Sequence, residues 1–226
     1  MDAFIELRGV RKAWNEGLPN QFWAVDGIDL DLARGCVTLL TGPSGSGKTT
    51  LLTLLGALSR PTEGRVRLAG EDVSSLPERF LTERRRHNFG FVFQQFNLIR
   101  GLSVLENVML PAYPLAPPHG ELRARALQLL RELGLEHRSE ARVEWLSGGE
   151  AQRAAIARAL INDPPVIIAD EPTANLDTHL SMAFLAIVER LKAQGRTVIL
   201  SSHDALVSEA PVVDRIVSLR DGKVVG

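Results

Sequence analysis

The segment "GPSGSGKTT", beginning at Gly42, orders its residues as G-x-x-x-x-G-K-[ST]. The chemistry that this spacing serves is the cradling of a triphosphate. Gly42, Gly45 and Gly47 let the backbone wrap phosphates with its amides pointing inward, and Pro43, Ser44, Ser46 and Thr50 complete the loop. Lys48 is placed to reach the β- and γ-phosphates, and Thr49 to bind Mg²⁺. The loop lies between an apolar run, "CVTLL", and a leucine-rich helical segment, the context that separates it from a chance glycine turn. The motif implies a nucleoside triphosphate without naming the reaction.

A second group is acidic. "VIIADEPT" sets Asp170 and Glu171 at the end of an apolar strand. Asp170 is suited to support Mg²⁺ directly or through water, and Glu171 to orient or activate a water against the γ-phosphate. The plain alternative is an acid-decorated helix start, favoured by the helix dipole. Sharing a chain with the phosphate loop weighs for chemistry. His203, ending "TVILSSH", and Gln94, after "FGFVF", each leave two readings open. His203 contacts a phosphate or is structural; Gln94 senses the metal or attacking water, or pairs with backbone. A third group is "LSGGEAQRAAIARAL" from Leu146. Ser147, Gly148 and Gly149 there lead into a helix N-terminus, a second anion-facing loop about a hundred residues from the first.

Positioning these groups requires a particular order of elements. "FIELRGVRKAW" and "WAVDGIDLDL" alternate apolar and polar residues, as half-buried strands do. "CVTLLTG" reads as a buried strand feeding a helix, "FGFVFQQF" as a further strand, and 103–161 as helical. "VIIAD" and "TVILSSH" flank the helix "HLSMAFLAIVERLKAQ", a βαβ unit that implies a parallel sheet. The tail is expected to form a hairpin about "RDGK". "PAYPLAPPHGE" is expected to be an exposed loop, "ERRRH" a solvated helix face, and Cys36 a buried small hydrophobe. The fold class is α/β, with 226 residues and 45% hydrophobic content able to bury a real core. A net charge of -1 provides no field for nucleic acid. One cysteine excludes an intrachain disulfide framework or a cysteine-cluster metal site. The start has no signal-peptide pattern, and no run reaches the ~18 apolar residues of a membrane span. We therefore expect a cytoplasmic chain that meets a membrane only through a partner.

The ordered set "GPSGSGKT", Gln94, "LSGGE", "VIIADEPTANLD" and His203 resembles the ATP-binding subunit of ABC transporters across essentially the whole chain. The resemblance implies a P-loop NTPase core with a mostly parallel sheet, a strand-rich antiparallel subdomain and a helical insert. As boundaries it implies one domain, 1–226, with 1–96 and 164–226 as the core and 97–163 as the helical part. It implies ATP and Mg²⁺ as cofactors, Gln94 as the Q-loop glutamine that also approaches the metal, Glu171 as the catalytic carboxylate and His203 as the switch histidine. Asp177 falls in the D-loop, "ANLD". Trp14 falls where such subunits stack an aromatic ring on adenine, a tryptophan where tyrosine is usual; simple packing is the alternative. Glu150 departs from the commoner glutamine of the signature. "GFVFQQFNLI", "LSVLENVMLP" and "PTEG" most resemble the lipoprotein-releasing and macrolide-export group, with the cell-division ATPase close by.

In that family two subunits associate head to tail, each ATP lying between the P-loop of one and the Ser-Gly-Gly loop of the other. That would explain the two loops. The expectation is an ATP-hydrolysing homodimer, peripheral on the inner face of the cell membrane through an integral permease. An ABC ATPase acting mechanically on a membrane partner without transport is one alternative. A soluble P-loop kinase is another, but it leaves "LSGGE" and "ANLD" unexplained.

Overall fold

A computed structural model describes residues 3–174 and 176–225. Two sheets form its frame. Strands β1 (Ala3–Trp14), β2 (Phe22–Ala33), β4 (Glu63–Leu68) and β5 (Glu71–Asp72) make an antiparallel sheet in the order β2-β1-β4-β5. The second sheet runs β10-β9-β3-β8-β7-β6. Its members are β3 (Val37–Thr41), β6 (Phe89–Val92), β7 (Val166–Asp170), β8 (Thr197–Ser201), β9 (Arg215–Arg220) and β10 (Lys223–Val225). All neighbours in it are parallel except the terminal β9–β10 hairpin. That hairpin turns at Asp221 and Gly222, both at positive φ, as a tight two-residue hairpin requires.

The central parallel strands β3, β7 and β8 are buried on both faces, and the residues of the parallel sheet alternate between two cores as the two-residue period of a strand demands. Leu40, Val166, Ile168, Ile199 and Val217 face helix α1 (Lys48–Leu55) and the antiparallel sheet. Leu39, Ile167, Ala169, Val198 and Leu200 face a helical layer. That layer holds α3 (Val104–Met109), α4 (His119–Glu132), α5 (Gly148–Leu160) and α6 (Thr178–Ala193). Helices α2 (Glu78–Asn88) and α7 (Ala205–Ser208) complete the described set. The βαβ unit β7-α6-β8 forms as its pattern requires, and the α/β fold class is borne out.

Three local expectations change. "PAYPLAPPHGE" is not simply a loop: Leu110–Leu115 forms a 3₁₀ helix, and α4 already begins at His119. Pro111 sits in its first turn, where a missing N–H costs nothing. The strand through "FGFVFQQF" stops at Val92: the chain turns at Gln94 and Gln95, with the Phe96 N–H donating to the Phe93 carbonyl at 2.8 Å, and Phe96 and Asn97 follow at positive φ. Cys36 is only partly buried, at the entrance to β3 rather than within it.

Candidate active site

Strands β3, β6, β7 and β8 end along one edge of the parallel sheet, the edge where open α/β sheets take their ligands. β3 delivers the glycine loop, β6 delivers Gln94, β7 ends in Asp170 followed by Glu171, and β8 leads to His203. These groups meet around a cavity of about 560 Å³, within the range of small-ligand sites. Trp14, Phe22, Ala24, Gly42, Pro43, Ser44, Gly45, Gly47, Lys48, Thr49, Thr50, Gln94, Glu171 and His203 line it.

The loop's shape depends on glycine at two close approaches. A Cβ on Gly42 would lie 2.2 Å from the Leu219 carbonyl oxygen, and one on Gly47 would lie 2.3 Å from that of Ala24. Gly47 also holds φ 101° at the N-terminus of α1, and no side chain caps that helix. The first-turn amides of α1 are thus left for an anion, and the fit to a triphosphate is good. Lys48 lies across the loop, its Nζ donating to the carbonyls of Gly42 at 2.8 Å and Pro43 at 3.2 Å. Ser46 is buried beneath the loop and does not line the cavity.

The carboxylates are held from β8. Ser201 stands opposite Asp170 in the β7–β8 register. Its hydroxyl donates to Asp170 Oδ1 at 2.6 Å and accepts the Glu171 N–H at 2.9 Å. Asp170 Oδ2 accepts from the Thr49 hydroxyl at 2.8 Å. Two hard oxygens therefore stand together, a partial set that would fit a hard cation such as Mg²⁺ and leave other positions for phosphates and water. Among the described residues no cluster of three His, Cys, Asp or Glu could form a protein-only metal cage. Glu171 adopts φ 45°, rare for a residue with a side chain. Its carboxylate lies 3.8 Å from Lys48 Nζ and 2.9 Å from His203 Nδ1.

Trp14 and Phe22 face each other as cross-strand partners of β1 and β2, and both are exposed on the cavity wall. The Trp14 Nε1–H approaches the Thr50 hydroxyl at 3.4 Å. Phe22 and Ser201 escape a linear reading. The β1–β2 pairing would have found Phe22, and the β7–β8 pairing Ser201, but motif spacing gives neither.

The second anion-facing loop does not line this cavity. Ser147 caps α5 in a reciprocal box: its Oγ accepts from the Glu150 N–H at 3.3 Å, and its own N–H donates to Glu150 Oε2 at 2.8 Å. The Ser147 hydroxyl also donates to Glu150 Oε2, at 3.0 Å. Glu150 Oε1 accepts from Arg138 Nε at 2.8 Å. That guanidinium and the Ser147 N–H hold the Glu150 carboxyl at about 2, below the usual carboxylate range. Gly149 packs against α6, where a Cβ would meet Leu180 at 2.7 Å. A Cβ on Gly148 would lie 3.9 Å from Leu176, an ordinary contact. Asp177 caps α6, accepting from the Leu180 N–H at 2.9 Å. The Ser-Gly-Gly loop and the Asp177 segment thus share one neighbourhood. Asn175 of "ANLD" lies outside the described residues.

The family model described as "ABC transporter" matches residues 25–174. The macrolide export ATP-binding/permease protein MacB of Rhodopseudomonas palustris is 46% identical over 98% of this chain and 33% of its own length. The pyoverdine export ATP-binding/permease protein PvdT of Pseudomonas fluorescens is 44% identical over 98% of this chain and 33% of its length. The chain thus spans about a third of the curated relatives it matches. The ATP-binding cassette MJ0796, solved as a dimer in a post-hydrolysis state bound to ADP and Pi, superposes with a TM-score of 0.89. It is 40% identical, with 97% of this chain and 96% of that one covered.

Proposed function

This chain belongs to the ABC transporter family, and on that premise we propose that two copies bind and hydrolyse MgATP between them to drive an export-type membrane complex. One observation carries the reading. The glycine loop, Gln94, Glu171 and His203 share one cavity, while Ser147 to Glu150 are absent from its lining although they form an anion-facing helix start. A phosphate site that is half built in one chain is completed by another chain placed head to tail. Cross-chain contact also suits the pairing of the Ser147 loop with the Asp177 segment.

Within that arrangement the cavity residues divide the work. The glycine-loop amides and Lys48 bind the β- and γ-phosphates, and Thr49 and Asp170 would hold Mg²⁺. The metal, when bound, neutralises phosphate charge. Glu171 orients the attacking water and accepts its proton, with His203 steadying the carboxylate at 2.9 Å. Gln94 reports on the metal and water at the end of β6. Trp14 and Phe22 offer aromatic faces to the adenine. Ser147, Gly148 and Gly149 donate to the γ-phosphate of the neighbour's nucleotide.

We assign the helical part to 97–163 and the core to the flanking segments. A groove of about 230 Å³ lined by Phe89, Phe91, Phe93, Pro111, Arg158 and Asn162, among others, opens between β6 and the end of α5. It is our candidate seat for the permease. No described helix is long and apolar enough to cross a membrane. The export assignment rests on the relatives' names.

Mixing two inactive variants tests the composite site. Lys48→Ala and Ser147→Arg, combined, place both lesions in one site of the mixed dimer and leave the other intact. Hydrolysis should return, as a single turnover or a partial steady rate. Lys48→Ala/Ser147→Arg mixed with wild type puts one lesion in every site of the mixed dimer and should add nothing beyond wild-type homodimers. Equal behaviour of the two mixtures overturns the reading.

A further inference from the structure

We propose that Arg138 is a positioning residue for the partner copy's ATP: it neutralises Glu150 so that the Ser147 loop can receive a γ-phosphate. The proposal rests on the two-chain site above. The capping box of α5 needs an acceptor at Glu150, and a neutral amide oxygen would serve. This chain has a carboxylate there. Its Oε2 already accepts from the Ser147 N–H at 2.8 Å and from the Ser147 hydroxyl at 3.0 Å.

That hydroxyl has one proton, and its oxygen is accepting from the Glu150 N–H. To donate to a phosphate oxygen, Ser147 must turn its proton away from Glu150. The same hydroxyl then touches both anions, so a carboxylate oxygen and a phosphate oxygen lie within roughly 6 Å of each other. Two like charges at that range repel strongly in a closed, water-poor interface. The Glu150 side chain is 14% exposed, so solvent does little to screen it.

Arg138 meets the problem from outside the cavity. It ends a 3₁₀ turn, Glu136–Arg138, that follows α4. Its Nε donates to Glu150 Oε1 at 2.8 Å, the oxygen not engaged by Ser147. The guanidinium thus cancels the charge and leaves the cap intact. It also weakens the carboxylate's hold on the Ser147 proton, which the phosphate must win.

The test uses the full chain carrying Glu171→Gln, so that ATP bound between copies is not consumed. Arg138→Ala should raise the ATP concentration for half-maximal dimer by about tenfold or more. ATP affinity of the dilute monomer, which uses the glycine loop alone, should change by less than about twofold. Adding Glu150→Gln to Arg138→Ala should bring the dimerisation midpoint back to about that of the Glu150→Gln variant. Arg138→Lys, which keeps the charge, should stay within about threefold of the parent. If Arg138 only anchors its turn, a neutral amide at 150 cannot replace the anchor and the double variant stays impaired. That result, or an Arg138→Ala variant that dimerises normally, overturns the proposal. A parent that never dimerises with ATP overturns the two-chain reading, and this proposal with it.

Discussion

Ser201 shows how much of this site depends on one hydroxyl. It is fully buried, donates to Asp170 and accepts from the Glu171 backbone, so it fixes both acids at once. Glu171 sits at a positive φ that its neighbours must enforce, and the Ser201 contact is one of the constraints. Ser201→Ala removes both bonds and leaves a carboxylate oxygen and an N–H short of partners, at a cost of about 1–3 kcal/mol. We expect the turnover rate to fall by about tenfold or more with a smaller change in the ATP midpoint, because the lesion lies at the reacting end. Steady-state hydrolysis against ATP concentration checks the split. A rise in the midpoint alone would place Ser201 in binding.

Elements position what residues cannot. The β1–β2 pairing brings Trp14 beside Phe22, and the β9–β10 turn braces the glycine loop from below through Gly222 N–H to the Ser46 carbonyl at 3.1 Å. Helix α5 is tied to the turn that follows Glu171 by the buried Gln152, whose Nε2 donates to the Pro172 carbonyl at 2.8 Å. On the cavity wall, Trp14 is 41% exposed and Phe22 54%, more than core packing would leave. Trp14→Ala should weaken ATP binding by about 1–3 kcal/mol if the base stacks there. Phe22→Ala should cost less, and both should leave the maximal rate nearly unchanged. Titration of ATP against each variant decides; unchanged affinity in Trp14→Ala would make that ring a packing residue.

On the scale of the molecule, the surface that bears Ser147 also bears Trp145, which is 67% exposed and two residues away. The head-to-tail pair proposed above would bring that indole toward the seam. Glu171→Gln with MgATP should therefore move the chain from 24.7 kDa to about twice that mass by light scattering. Trp145 emission should shift to the blue as the pair closes, and Trp145→Phe should remove that part of the change. A Glu171→Gln chain that stays monomeric at saturating ATP and hydrolyses at the normal rate would contradict the role given to Glu171.

Motif spacing was enough to read the triphosphate loop, the paired acids and the βαβ unit, because each is local: a few residues fix the turn, the period or the strand end. It also supplied the family, through five segments in a fixed order. It did not yield Ser201, Phe22 or Gln152, which act across strand pairings or between layers at separations motif spacing does not span. Nor did it pair Glu150 with Arg138, twelve positions earlier in sequence and 2.8 Å away in space. The two anion-facing loops are plain in the sequence. That they do not share one cavity was decided by the tertiary structure, since a parallel sheet gathers its strand ends along one edge and leaves the start of α5 outside the pocket they form.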